Sequence, residues 1–138
     1  MLSPTQFDRL YRYSTLYDLI ITAPFATPWS FVFFMGLFSS AATSMGLPGI
    51  LPMLDVFHIF FANLMGSVVV IWGVVRWRLR LPILLRYDAA ARFLFSTWMV
   101  VALLNGANLI LLAMLVVEVT LAVLQSLPVR DQVISTTS

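Results

Sequence analysis

At 138 residues, 61% hydrophobic and 10% charged, the chain carries far fewer charges than the roughly 25% of an ordinary soluble domain. It has too few polar groups to cover a water-facing surface, and its length suits one domain with no separate soluble catalytic unit. The net charge of +2 comes from basic residues that are all Arg, in no long run interleaved with aromatics, which argues against a nucleic-acid partner. Cysteine is absent, which removes disulfides, thiol redox chemistry, thiolate metal ligands and palmitoylation.

Residues 1–12 are mixed in character. The first apolar stretch follows charged Asp8, Arg9 and Arg12, carries Asp18 and is broken by Pro24 and Pro28, so a cleaved signal peptide is not expected. A helix over residues 16–45 would be about 45 Å long, against a hydrocarbon core of about 30 Å. Proline removes a backbone donor and disturbs the preceding turn. The first span, residues 13–44, is therefore predicted to be kinked or broken at Pro24–Pro28, with a re-entrant pair of short helices as the alternative.

Residues 46–55 (GLPGILPMLD) have loop chemistry, with two Gly and two Pro. Residues 56–77 (VFHIFFANLMGSVVVIWGVVRW) form the clearest span, charged only in its last turn. A short basic connection follows (RWRLRLPILLR). Residues 87–104 make a third span, Asn105-Gly106-Ala107-Asn108 a turn, and residues 108–127 a fourth span ended by Pro128. The tail, residues 129–138, is polar and expected to be flexible and cytoplasmic. The predicted fold is thus an all-α membrane protein, a single domain over residues 1–128 with four transmembrane helices in a bundle.

Orientation follows from the Arg bias. Arg76, Arg78, Arg80 and Arg86 surround the connection between spans two and three, while the loops after spans one and three carry no Lys or Arg. The positive-inside rule makes the basic loop cytoplasmic, and with four spans both termini join it, in keeping with Arg9, Arg12 and Arg130. Exclusive use of Arg suggests a GC-rich bacterial genome, and the expected location is a bacterial inner membrane. Trp29, Trp72, Trp77 and Trp98 match an interfacial aromatic belt only in part.

Ionisable groups in lipid are costly and normally face a partner or a cavity. Asp18 and Arg92 each lie one to two turns inside the cytoplasmic ends of their spans, a depth that permits an ion pair. Asp88 and Arg92, at i and i+4, share a helix face. The bland alternative is that Arg92 snorkels to the headgroups. Glu118 sits mid-span with no charge within ten residues. Either it is protonated, or it faces a wet cavity or a cation; Asn63, at a similar depth, could instead clasp it across the helices. Asp18, Asn63, Arg92 and Glu118 are the candidate ligand-binding residues. Asp55 and His58, at i and i+3, form a candidate pH-sensitive pair, with simple solvation of His58 as the alternative. A lone His gives no basis for a metal or haem site, and no cofactor is expected. The pairs Gly36/Ser40, Ala62/Gly66 and Ala102/Gly106 have small-xxx-small spacing, which suits close helix contacts or contacts with a second copy.

The segments YDLIITAPFATPW, HIFFANLMGSVVVIWGVVR, RYDAAARFLFSTW and LVVEVTLAVLQ resemble small bacterial four-helix membrane proteins of the DoxX-like kind. A more distant similarity is to EXPERA-type bundles, which hold sterol-like ligands with acids inside the bundle. Under that resemblance Asp18 and Glu118 are the counterparts. A matching set of catalytic His and acid positions is absent, which speaks against an isomerase. The expected function is a binding or accessory protein that holds a lipid-like ligand or a partner helix. The alternatives are a small oligomeric proton-coupled transporter, an enzyme using Glu118 as general acid or base, and a structural or immunity-type protein without a ligand site. Expected partners are the bilayer, a lipid-like ligand, and a second copy or another membrane subunit.

Overall fold

A computed structural model describes residues 3–128. Over these the chain is helical: α1 (Pro4–Thr22), a 3-10 turn (Ala23–Ala26), α2 (Pro28–Ser44), α3 (Val56–Leu79), α4 (Pro82–Leu104) and α5 (Leu111–Ser126). The expected tail over residues 129–138, with Arg130, lies outside the described residues.

Local chemistry sets the ends of these helices. Ser3 and Gln6 form a capping box at the start of α1, Ser3 Oγ accepting from the Gln6 backbone N–H and Gln6 Oε1 from that of Ser3. Pro24 falls in the 3-10 turn, and Pro28 opens α2 behind the N-cap Thr27. The overlong first stretch is therefore broken between Ala26 and Pro28, and the two helical segments meet at a bend of 112°. Asp55 caps α3, whose last turn carries Arg76 and Arg78 against the helix dipole. Leu79 and Pro82 are separated by two residues, with Arg80 in the left-handed region (φ 48°) donating back to the Arg76 carbonyl. The connection between spans two and three is thus shorter than its sequence suggests, and Arg76 belongs to the helix.

Two antiparallel helix pairs build the molecule. The Tyr11 hydroxyl donates to the Arg76 carbonyl at 2.9 Å, Leu19 lies against Gly73, and the Phe25 backbone lies on Gly66, so α1 runs antiparallel to α3. α4 and α5 pack antiparallel along their length, while the two pairs meet each other sparingly. The N-terminus of α1, the α3–α4 connection and the C-terminus of α5 consequently share one end. At the other end the α2–α3 loop joins the α4–α5 turn. Ile50 N–H donates to Gly106 O and Asn108 N–H to Ile50 O, a short parallel bridge, and Asn108 Nδ2 donates to the Leu47 carbonyl at 2.9 Å. Gly49 (φ +116°) sits so close to this turn that a Cβ there would lie 2.5 Å from Asn108 Cα.

The burial pattern inverts that of a soluble protein. The buried set includes Arg76, Asp88, Arg92, Glu118 and Gln125, whereas Phe33, Leu64, Val68, Leu94, Trp98 and Val116 are exposed. Exposed apolar faces of this extent are unstable in water and natural in lipid. α3 and α4 are long and apolar enough to cross a membrane. α5, at 16 residues, is apolar but shorter, about 24 Å against the ~30 Å core.

Candidate functional site

α1, α3, α4 and α5 each contribute polar side chains to one interior region. On α4, Leu85, Asp88, Ala89, Arg92 and Ser96 are buried, the i, i+3, i+4 pattern of a single face. On α5 the buried face is Glu118, Ala122 and Gln125. On α3 it is Ala62, Gly66, Gly73 and Arg76. Asp18 comes from α1, one turn beyond the buried Ser14 and Thr15. Counting 1.5 Å per residue, Arg92 lies about 15 Å from the start of α4 and Glu118 about 12 Å from the end of α5, so the antiparallel pair brings them level.

The result is one charge network. Arg76 pairs with Asp18 and Asp88, and Arg92 pairs with Asp18 and, through Nη1 at 2.6 Å, with Glu118 Oε2. Asp88 Oδ2 also accepts from Gln125 Nε2 at 2.8 Å, and Asp88 Oδ1 from Trp72 Nε1 at 3.3 Å. Gln125 Oε1 returns the contact by accepting from Arg92 Nε at 3.1 Å. The Arg92 guanidinium carbon lies 5.9 Å from the centroid of the Tyr17 ring. Both carboxylate oxygens of Asp18 and of Asp88 are engaged. Glu118 Oε1 accepts no hydrogen bond among the described residues, although Glu118 is only 8% exposed.

Charge counting is informative here. Three carboxylates face two guanidiniums, leaving one formal negative charge in a largely buried setting. Isolated ions in such surroundings cost several kcal/mol each, and close pairing offsets this only when the geometry is good and the remaining polar atoms are satisfied.

Above the network lies a partly open cavity of about 1050 Å³ between the two helix pairs. Asp18, Asp88, Arg92 and Glu118 form its polar end; Ile50, Pro52, Asn105 and Asn108 lie at the far end. Between them the wall is largely apolar, with Phe25, Val69, Trp72, Phe95 and Met99, and α2 lays Phe34, Met35 and Phe38 along one side. From Arg92 to Asn105 the cavity follows α4 for about 20 Å.

Of the four candidate ligand-binding residues, Asp18, Arg92 and Glu118 meet in this network and line the cavity. Arg92 does not snorkel; it is 3% exposed. Asn63 stands apart, and the anticipated Glu118–Asn63 clasp does not form. Asn63 Nδ2 instead donates at 2.8 Å to the Phe25 carbonyl, one of the acceptors freed by the break before Pro28. Asp55 and His58 form a local pair at the opposite end. Asp55 Oδ1 accepts from the His58 backbone N–H at 2.8 Å and lies 3.0 Å from His58 Nδ1, with both side chains well exposed. The backbone hydrogen bond holds the Asp55 carboxyl below its usual range.

Arg76, Gln125 and Trp72 are members of the network that the sequence reading passed over. Arg76 is fully buried. Its signal was the recurrence of Ala62, Gly66, Gly73 and Arg76 on one face of α3, and that of Gln125 its spacing of seven from Glu118. Among the described residues, no group of three or more His, Cys, Asp or Glu side chains is arranged to hold a metal ion. His58 lies far along α3 from the network. What the site can do is enclose an apolar body and meet one polar head at its charged end. Comparison of the chain with protein families, with characterised proteins and with solved structures finds no match.

Proposed function

We propose that this chain is a multi-pass membrane protein that binds a lipid-like molecule in the cavity between its helix pairs. The observation that carries this reading is the coincidence of an apolar chamber of about 1050 Å³ with a buried ion network at one end. Ligand sites are commonly clefts of this kind, about 300–1,000 Å³ and apolar with a few convergent polar groups. A purely structural bundle would use the same polar groups to close the helices onto one another and would leave no such chamber.

In this reading α1, α3, α4 and α5 cross a bacterial inner membrane and α2 forms a side wall. The exposed Arg9, Arg12, Arg78, Arg80 and Arg86 gather at the end shared by the helix termini, which supports a cytoplasmic placement of that end. The likeness to DoxX-like proteins is compatible with this architecture.

The test is to purify the protein from native membranes and identify co-purifying lipids by mass spectrometry. The wild type is expected to retain a stoichiometric apolar molecule. Ala102→Trp, which places an indole inside the chamber, is expected to lose it while remaining folded. A wild type that carries no bound molecule, and binds none from added lipid, would overturn the reading.

A further inference from the structure

The polar end of the cavity is asymmetric in a way that specifies the head of its occupant. Of the acids lining it, Asp18 and Asp88 have both oxygens engaged, while Glu118 uses Oε2 on Arg92 and leaves Oε1 without a partner among the described residues. Glu118 is nonetheless buried and lines the cavity. Arg76 is sealed beneath the network, and every nitrogen of Arg92 is engaged, by Asp18, Glu118, Gln125 and Asp88, so neither guanidinium is without a carboxylate partner.

We infer that the occupant is a cationic amphiphile, a single ammonium head seated on Glu118 Oε1 with its apolar body along the chamber. This rests on the cavity being a binding site. One monovalent cation neutralises the surplus carboxylate, and an ammonium N–H supplies the donor that Oε1 lacks. An anionic head would meet three carboxylates and no free Arg. A hard metal ion needs about six oxygen ligands, and one free oxygen does not provide them. A neutral hydroxyl satisfies the hydrogen bond and leaves the charge.

Three probes with one tail separate these cases: 12-bromododecylammonium, 12-bromododecanol and 12-bromododecanoate. Each is added to the full chain in phosphatidylcholine nanodiscs, with the exposed Trp29, Trp77 and Trp98 replaced by Phe, and bromine quenching of Trp72, which lines the cavity, reports binding. The ammonium probe is expected to bind about tenfold or more tightly than the alcohol, the scale of a hydrogen bond to a charged group, with the carboxylate weakest. Glu118→Gln keeps the side-chain shape and an oxygen for Arg92. It is expected to abolish the ammonium advantage over the alcohol. Equal binding of ammonium and alcohol to the wild type, or an ammonium preference that survives in Glu118→Gln, overturns the head-group assignment while alcohol binding upholds the cavity. If no probe quenches the wild type, the cavity reading and this inference both fall. The wild-type ranking needs no change at Glu118, so it decides the matter even if Glu118→Gln does not fold.

Discussion

Arg76 is the residue on which the interior most depends. Its two amino groups join Asp18 of one helix pair to Asp88 of the other, and it has no exposed surface. Arg76→Met removes a guanidinium and leaves Asp18, Asp88 and Glu118 sharing Arg92. The expected loss is about 3–5 kcal/mol, as for other broken buried pairs, read as a lower midpoint in reversible dodecyl sulfate titration. Arg76→Lys is expected to recover little, because a compact ammonium lacks the planar spread of the two guanidinium amino groups that reach Asp18 and Asp88. Exposed Arg78→Ala is expected to stay within about 0.5 kcal/mol of wild type. At the opposite end, Asp55 makes a contribution of opposite pH character to a raised-pKa group. Its carboxyl is held low in the folded protein, so the cap is present above the unfolded value and is lost as pH falls through the folded one. Hydrogen-exchange protection of the first turn of α3, corrected for intrinsic rates, should therefore fall in acid in the wild type. Asp55→Asn, which caps without titrating, should show no such fall.

Close approach governs the fit of the elements. A Cβ on Gly66 would lie 2.4 Å from the Phe25 carbonyl carbon, backbone that cannot swing aside. Gly66→Ala is expected to push the 3-10 turn off α3 and cost about 1–3 kcal/mol, whereas Gly36→Ala, with open space around it, is expected to be neutral or to gain up to about 1 kcal/mol from helix propensity. Comparing thermal unfolding of the two variants in one detergent checks both. The small-residue spacing of Ala62 and Gly66 made that contact legible in the sequence, as the prolines did the break beside it. Depth was equally legible: Asp18 and Arg92 could be placed level from rise alone, and Asp88 and Arg92 on one face from spacing alone. What rise cannot supply is rotation about the helix axis. Nor did it place Asn63, offered as a possible clasp for Glu118: counted from the shared end, Asn63 lies about 24 Å along α3 and Glu118 about 12 Å along α5, and Asn63 meets the Phe25 carbonyl instead. Arg76 was concealed differently. It opens a run of four Arg that looks like a solvated loop, and only the face it shares with Gly66 and Gly73 marks it as interior.

At the scale of the whole molecule, helix directions and charge placement make a joint prediction. α1 antiparallel to α3, and α4 to α5, put the start of α1, the α3–α4 connection and the end of α5 together, and the exposed Arg side chains of α1, α3 and α4 are at that end. Asp55, His58 and the α2–α3 loop are at the other. The 112° bend before α2 makes the joint path of α1 and α2 the step that labelling must trace. With no native cysteine, single substitutions report accessibility without background. Met53→Cys, in the exposed α2–α3 loop, is expected to react with a membrane-impermeant maleimide on intact cells. Leu81→Cys and Thr5→Cys are expected to react only after the membrane is opened. That pattern requires α1 with α2 to make one net crossing and α3 another. Thr5→Cys labelling alongside Met53→Cys would instead make the α1–α2 unit re-entrant. The polar stripe of α1 would then enter and leave on one face, and the ion network would have to form without a complete crossing beside α3.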